Sequence, residues 1–368
     1  LDTVRRLVGR VAGELGAPPD LAALFVTRPH APAFGEAARV VRAALRPATL
    51  LGCVAESVVG TARQVEQGPG AALWAARLGP VAPVAVEVAG ASGPVSGWPT
   101  HPGFEPRGLV LVACPWSFPA GGFLAWLETA MPGLPVVGGM AWGGGGPGST
   151  RLSVDGRLQT IGAVGALVGA GAGLSSVVAP GVGALGDAVV VTRAEGPVIH
   201  ELAGKPPLAR LEAWGRRDLD PHRVDLVNRG GLRVGRVVNE HRDAVGPGDV
   251  ELLGIRGVDR RTGALVVDEP VPVGTTVQFH LRDPAVAETE LRAAVAGRRA
   301  RGALLFTDTD RAGSRSGRDH DDASVVTRAL HTAPLGGFLA AGELGRLGEV
   351  NRHHRQAAVV ALFGTHDP

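Results

Sequence analysis

The chain has 368 residues, of which 45% are hydrophobic and 20% are charged, a balance typical of a folded globular protein rather than a disordered one. Its net charge of +2 argues against a nucleic-acid surface, which needs a concentrated basic face. The only cysteines, Cys53 and Cys114, imply no disulfide framework and favour the reducing environment of the cytoplasm.

The N-terminal region begins with helical spacing over 1–16 and then predicts a strand–helix–strand unit. An apolar run at 20–27 is followed by a helix-period segment at 36–45. A second apolar run at 47–57 follows and contains "LLGC". This order, over about 30 residues, is that of a right-handed crossover between parallel strands.

The same plan occurs twice more in the chain. The second copy comprises 108–115, 121–131 and 132–145, and the third comprises 301–310, 321–330 and 332–343. Glycine stands in the last apolar run of every copy: Gly52, Gly138, Gly139, Gly336 and Gly337. Glycine inside or just after a strand marks a close approach of backbone or ligand. We therefore expect the three glycine ends to meet at one crevice, the usual ligand position in α/β sheets.

The rest of the chain predicts mainly strands. The uncharged stretch at 158–186 is rich in glycine and alanine, which favours two buried strands joined by a turn over a membrane helix. Strands are also expected at 70–78, 81–90, 183–202, 231–239, 249–259, 263–283 and 356–364. Helices are expected at 205–217 and 284–300, and Asp283 and Asp321 or Asp322 are candidate N-caps.

Two sequence motifs are better explained by loops than by binding sites. "GGGGPG" at 143–148 precedes a segment of turn and strand character, whereas a dinucleotide fingerprint needs a helix there. The calcium-like pattern at 308–319 contains three arginines, which oppose a hard cation. A solvated, charged loop is therefore the preferred interpretation of the second motif.

Glu343 is the most informative single residue. It directly follows the third glycine-rich run, so we expect it to project from a strand end into the crevice. There it could accept hydrogen bonds from a ligand amine or from opposing backbone amides. A structural brace with Arg311 or Arg346 is the alternative, because an ionised group in a cleft must be paired.

Five blocks, in their order and spacing, resemble the FIST family, named for F-box and intracellular signal transduction proteins. They are "LLGCVAESVVG", "PVVGGMAWGGGGPGSTRLSVDG", "GPVIHELAGKPPLARLEAW", "VGTTVQFHLRDPAVAETELRAAV" and "DHDDASVVTRALHTAPLGGFLAAGELG". The resemblance implies a two-domain α+β architecture of mixed β-sheets, with helices on their outer faces and internal strand–helix–strand repeats. It places a FIST N-type domain at 1–195 and a FIST C-type domain at 196–368.

The resemblance also implies a ligand site. Its expected residues are Gly52, Cys53, Gly138, Gly139, Arg311, Gly336, Gly337, Glu343, Asn351 and His354. Parts of the family's pocket pattern are altered at 178–186 and after "ALLF", where only Arg311 of the usual block remains. Some family members carry haem, but His30 and His354 are the only plausible axial ligands here, so we expect no cofactor and no metal.

The expected function is that of a cytoplasmic sensory protein without intrinsic catalysis. It would bind a small polar ligand of amino-acid type and act through a separate signalling protein, with no nucleic acid and no membrane span. One alternative is an enzyme acting on a small polar substrate, with Glu343, His354 and Asn351 as acid/base and positioning groups. Another is an interaction module that has lost its ligand.

Overall fold

The computed structural model describes residues 1–218, 220–238, 249–312, 321–331 and 333–364. The fold is α+β, as predicted, and the chain divides into two compact units. Unit 1 comprises Leu1–Val178 and Leu291–Pro368, and unit 2 comprises Ala179–Glu290. The expected boundary between the two FIST-type domains, between residues 195 and 196, lies within unit 2. It concerns the division of the sequence into domains and stays a prediction.

The first part of unit 1 contains two segments of mixed helices and strands. Its first segment contains α1 (Asp2–Leu15), β1 (Leu21–Thr27), α2 (Phe34–Leu45), β2 (Thr49–Ala55), β3 (Val58–Gly60), β4 (Arg63–Val65), β5 (Ala71–Ala76), β6 (Val81–Val88) and β7 (Val95–Ser96). Its second contains β8 (Gly108–Ala113), α3 (Ala120–Ala130), β9 (Val136–Met140), β10 (Leu152–Val154), β11 (Arg157–Gln159), β12 (Ala163–Val168) and β13 (Ser175–Ala179).

The remaining elements belong to unit 2 and to the C-terminal part of unit 1. Unit 2 contains β14 (Val182–Glu195), β15 (Val198–Leu202), α4 (Pro207–Asp218), α5 (Pro221–Asn228), β16 (Leu232–Val237), β17 (Val250–Asp259), β18 (Ala264–Val267), β19 (Thr276–Arg282) and the start of α6 (Pro284–Val295). Unit 1 then continues with β20 (Gly302–Asp308), α7 (Asp322–Leu330), β21 (Leu335–Ala340), β22 (Glu343–Leu347), β23 (Val350–His354) and β24 (Ala358–Phe363).

The three predicted strand–helix–strand units are confirmed. Strand β1 pairs in parallel with β2, β8 with β9, and β20 with β21, and a helix connects each pair. After each strand–helix–strand segment, the chain forms a two-stranded hairpin and then a third strand that pairs antiparallel with the first strand of the segment. We call these three segments repeat 1 (21–76), repeat 2 (108–168) and repeat 3 (302–363).

The hairpins are exchanged between the repeats in a closed cycle. The β3–β4 hairpin of repeat 1 pairs with β21 of repeat 3, and the β10–β11 hairpin of repeat 2 pairs with β2 of repeat 1. The β22–β23 hairpin of repeat 3 pairs with β9 of repeat 2. Each repeat therefore completes its sheet only with a hairpin from another repeat.

The core of unit 1 lies between the three sheets. The Phe338 ring lies 5.2 Å from that of Phe25 and 5.3 Å from that of Phe306, so repeats 1 and 3 share one buried cluster. Val112 of repeat 2 belongs to the same cluster. The opposite faces of the strands pack against helices: α1 and α2 cover repeat 1, and α3 covers repeat 2. This confirms the expected placement of helices on the outer sheet faces.

Unit 2 is a closed barrel with the strand order β14, β15, β18, β17, β16, β19. Its interior is apolar, and Trp214 of α4 packs edge-on against Phe279 at 5.7 Å. The helix expected at 284–300 ends earlier, at Val295, and α5 was not expected from the sequence. Asp283 accepts a hydrogen bond from the Ala285 amide at the predicted cap.

The uncharged stretch at 158–186 contributes β12, a short turn and β13, as predicted, and the start of β14. Within the described ranges, no helix is long and apolar enough to cross a membrane. The glycine loop at 143–148 leads to β10 rather than to a helix. Much of the calcium-like pattern lies outside the described residues, at 313–319.

Candidate functional site

Equivalent polar residues stand at the carboxyl end of the first strand of each repeat. The Thr27, Cys114 and Asp308 amides each donate to the residue that precedes the third strand of their own repeat, at 2.9–3.0 Å. These three residues therefore occupy the same position in the three repeats. All three are buried.

The side chains at this equivalent position make different contacts. The Thr27 hydroxyl accepts from the Gly70 amide at 2.7 Å and donates to the Gly68 carbonyl at 2.9 Å. The Asp308 carboxylate accepts from the Asp310 amide at 2.8 Å and from the Gln356 amide at 3.1 Å. Both side chains thus close turns beyond their strands.

The two cysteines lie in contrasting surroundings. Burial raises the pKa of the Cys53 thiol. Burial also acts to raise the pKa of Cys114, but hydrogen bonds with the Ser117 and Thr150 side chains and with the Trp116 and Ser117 backbone outweigh it, so that this pKa is lowered. In the contact with Thr150, the Cys114 thiol donates to Oγ1 at 3.3 Å.

The recurring glycine has one physical cause in all three repeats. A Cβ atom on Gly52 would lie 2.6 Å from the Leu24 carbonyl oxygen. On Gly138 it would lie 1.8 Å from the oxygen of Leu111, and on Gly337, where φ is +147°, 1.9 Å from that of Leu305. Real Cβ contacts are not this short, so the close approach at these glycines is made by the neighbouring parallel strand.

Gly139 and Gly336 are packed against side chains instead. A Cβ on Gly139 would meet Ala340 at 3.0 Å and Phe306 at 3.4 Å, and one on Gly336 would meet Trp74 at 2.7 Å. Two of the three glycine ends therefore meet, because β9 contacts both Ala340 and the β22 strand that follows it. At this contact, β9 packs directly against the end of β21 and the start of β22.

Glu343 follows the end of β21, as expected, but it begins a further strand that the sequence did not predict. It is the first residue of β22, directly opposite Gly139 of β9 on one side and His354 of β23 on the other. Its side chain is fully buried. The β22–β23 hairpin was not predicted because it carries several charged residues and contains no apolar run.

The surroundings of Glu343 differ from those of the equivalent positions. Its Oε2 accepts from the Ala357 amide at 3.0 Å. By strand register, repeat 1 has Val58 at this position and repeat 2 has Leu152. Repeat 3 therefore buries a carboxylate where the other two repeats bury an aliphatic side chain.

The arginines considered as braces for Glu343 form ion pairs elsewhere. Arg311 Nε donates to Asp322 Oδ2 at 2.9 Å, and both side chains are at most 2% exposed. Arg346 pairs with Glu349, also at 2.9 Å. Arg311 thus connects the segment after β20 to the start of α7, where Asp321 accepts from the Ser324 amide as the N-cap.

Asn351 and His354 use their polar atoms on the backbone. Asn351 Nδ2 donates to the Leu134 carbonyl at 2.8 Å, and its Oδ1 accepts from the Val136 amide at 2.9 Å. His354 Nε2 lies 3.2 Å from the Gly345 carbonyl oxygen. The Asn351 amide therefore fixes the start of β9, and His354 contacts its own hairpin.

His353, a candidate for ligand contacts that ranked below His354 in the sequence, is buried beside Gly342. Burial lowers its pKa to about 4, with smaller contributions from the charges of Arg355 and His354. Gly342 adopts φ +149°, and a Cβ there would lie 2.4 Å from His353 Nε2. The glycine before Glu343 therefore makes room for this ring.

The predicted site residues thus fall into separate groups. Gly138, Gly139, Glu343 and His354 lie side by side on β9, β22 and β23. Other predicted residues lie elsewhere: Gly52 and Cys53 on β2, Gly336 and Gly337 on β21, Asn351 at the start of β23, and Arg311 before α7. Thr27 and Asp308 were missed because only strand register makes them equivalent to Cys114: each stands three residues beyond the residue that lies opposite the repeat's glycine.

The described residues do not fit an axial haem ligand at His354. Its Nε2 faces the Gly345 carbonyl and its side chain is 8% exposed. Across the described part of the chain, no group of three or more His, Cys, Asp or Glu side chains could hold a metal ion.

Comparison with known proteins identifies both halves of the sequence. The profile of the FIST N domain matches residues 20–205, and that of the FIST C domain matches residues 216–346. The chain belongs to the FIST family. FIST domains are associated with sensory signal transduction. Repeats 1 and 2 fall within the FIST N match, whereas most of repeat 3, up to residue 346, falls within the FIST C match.

Curated relatives of this FIST protein occur in mycobacteria. Uncharacterized protein Rv0628c of Mycobacterium tuberculosis is 38% identical over 356 residues, covering 95% of this chain and 92% of the relative. Uncharacterized protein Mb0898c of Mycobacterium bovis is 36% identical over 369 residues, covering 96% and 93%. The similarity thus extends over nearly the whole length of both proteins.

Proposed function

We propose that this FIST protein is a sensory signal-transduction protein that binds a small polar ligand of amino-acid type at the carboxyl ends of the repeat strands. It has no intrinsic catalysis and needs no cofactor, and it passes its signal to a separate protein. The observation that carries this proposal is Glu343, a fully buried carboxylate at a position that the other repeats fill with Val58 and Leu152.

Burying a carboxylate costs free energy that an aliphatic side chain does not cost. The two other repeats demonstrate that this position can be filled by valine or leucine within the same strand arrangement. Packing alone therefore does not require Glu343. Its charge suits recognition of a ligand ammonium group, and it stands just beyond the carboxyl end of β21.

We propose no catalysis because Asn351 and His354, the groups that an enzyme would use here with Glu343, face the protein backbone. Both polar atoms of the Asn351 side chain are occupied by backbone groups of Leu134 and Val136. His354 Nε2 is oriented toward the Gly345 carbonyl. The arrangement therefore supports binding better than acid/base chemistry.

Thermal denaturation with a panel of free amino acids and small amines tests the proposal. At least one compound should raise the melting temperature of the wild-type protein and leave that of Glu343→Gln unchanged. Glu349→Gln is the matched control, because this carboxylate is 94% exposed and should respond as wild type does. If Glu343→Gln lowers the melting temperature without ligand and still binds, Glu343 is a structural brace and the proposed site is wrong.

A further inference from the structure

Among the strands of the described residues, the third strand of repeat 1 has no outer neighbour, whereas those of the other two repeats have one. Strand β12 of repeat 2 lies between β8 and β6, and β24 of repeat 3 lies between β20 and β13. The outer neighbours, β6 and β13, belong to the connecting segments that follow repeat 1 and repeat 2, respectively. Strand β5 of repeat 1 is the outermost strand of its sheet.

Backbone hydrogen bonds mark the missing position. At the end of β12, the Gly169 amide donates to the Pro80 carbonyl at 3.0 Å, just before β6. At the end of β24, the Gly364 amide donates to Ala172 at 2.8 Å, before β13. Arg77 is the equivalent residue after β5, and among the described residues its amide has no such backbone partner.

Burial shows the same difference. All six residues of β12 and all six of β24 are buried. In β5, only Trp74 is buried, and the other five residues are partly exposed. Since β5 pairs with β1 in the way that β12 pairs with β8, the exposure arises on its outer side.

The open edge of β5 is also unprotected. The bond from the Thr27 amide to Gly70 means, by antiparallel alternation, that the amides of Ala71, Leu73 and Ala75 point away from β1. Helix α1 packs with Ala71, Leu73 and Ala75 in the apolar cluster that β5 shares with β1 and α2. The strand contains no charge and no proline, the usual devices that prevent edge pairing.

We propose that the β5 edge binds an extended segment of a partner protein, which adds to the sheet as an antiparallel strand. The chemistry of the segment follows from β6, the occupant in repeat 2, whose buried residues Ala82, Val84 and Val86 alternate with more exposed ones. The partner segment therefore carries small aliphatic residues at alternate positions. This inference rests on the proposed function, in which a separate protein receives the signal.

A fluorescein-labelled peptide with the sequence of residues 81–88 is the probe, and fluorescence polarisation with the full-length protein is the measurement. Ala75→Pro removes an edge amide and leaves the bonds to β1 in place. Ala75→Gly keeps that amide and is the matched control. We expect saturable binding to the wild-type protein, at least tenfold weaker binding to Ala75→Pro and binding within twofold for Ala75→Gly.

If Ala75→Pro does not fold, Ala71→Pro tests the same edge from its other end. No saturable binding to the wild-type protein overturns the proposal, and so does equal binding to folded proline variants. A concentration-dependent dimer in sedimentation that Ala75→Pro abolishes assigns the edge to a second copy instead. This experiment uses no small ligand, so a negative result here does not contradict the proposed ligand site. Likewise, a negative ligand screen does not contradict the proposed binding at the β5 edge.

Discussion

A Cβ atom on Gly138 would lie 1.8 Å from the carbonyl oxygen of Leu111 on the neighbouring parallel strand. The equivalent distances in repeats 1 and 3, from Gly52 to Leu24 and from Gly337 to Leu305, are 2.6 Å and 1.9 Å. The recurring glycine is thus a property of the paired strands of each repeat.

Gly138→Ala should lower the free energy of unfolding by at least about 3 kcal/mol, or prevent folding, because the added methyl group meets backbone that cannot rotate away. Gly9→Ala is the control: it lies within α1 with no atom within 4 Å, and it should stabilise the protein by about 0.5–1 kcal/mol. Chemical denaturation measures both. Wild-type stability of Gly138→Ala would contradict the backbone explanation.

The Arg311–Asp322 ion pair is buried, so removing one charge should be costly. Asp322→Asn should lower the free energy of unfolding by about 3–5 kcal/mol, because the buried Arg311 charge loses this carboxylate. Asp2→Asn removes an exposed pair with Arg5 and should cost less than about 1 kcal/mol. Equal losses in the two variants would show that the buried pair does not stabilise the fold.

His280 should make the stability of the protein depend on pH. Burial lowers its pKa from 6.5 to about 4, and neither ring nitrogen has a hydrogen-bond partner among the described residues. The unfolded chain therefore binds the proton first, and stability falls as pH drops from 6.5 toward 4, by up to about 3 kcal/mol.

Denaturation midpoints of the wild-type protein and His280→Leu, measured between pH 7 and pH 4.5, test this prediction. His280→Leu should flatten part of the pH dependence, whereas His101→Leu, at an exposed loop position, should follow the wild-type curve. Parallel curves for His280→Leu and wild type would show that His280 does not contribute.

Haem titration should give no sharp Soret shift at stoichiometric amounts, because His354 Nε2 faces a backbone carbonyl. Absorbance spectroscopy of the purified protein measures this directly. A tight complex that His354→Ala abolishes would show that the side chain reorients to ligate iron, and the expectation of no cofactor would then be wrong.

The local part of each repeat could be predicted because its signals are local. Apolar runs such as 21–27, a helical period and a returning apolar run follow one another within about 30 residues, and the helices pack where their apolar sides predict. The cap of α7, expected at Asp321 or Asp322 and found at Asp321, and the strands around 158–186 were predicted for the same reason.

The position of Glu343 could not be predicted in this way. Its burial depends on β9, more than 200 residues earlier, and its equivalence to Val58 and Leu152 exists only through strand register. The short hairpins that carry these residues are too brief and too polar to produce an apolar run. Their partners lie in other repeats, which no local pattern can specify.

By itself, the sequence determined the three strand–helix–strand units and the glycine that each requires, because crossover length and chain periodicity act between near neighbours. Tertiary structure alone decided which sheet receives each hairpin, which carboxylate is buried and which third strand has an open edge. Those outcomes depend on backbone hydrogen bonds between segments that are distant in the sequence. Any hairpin of suitable length can form such bonds with a strand edge, so the pairing is decided only when all three repeats come together.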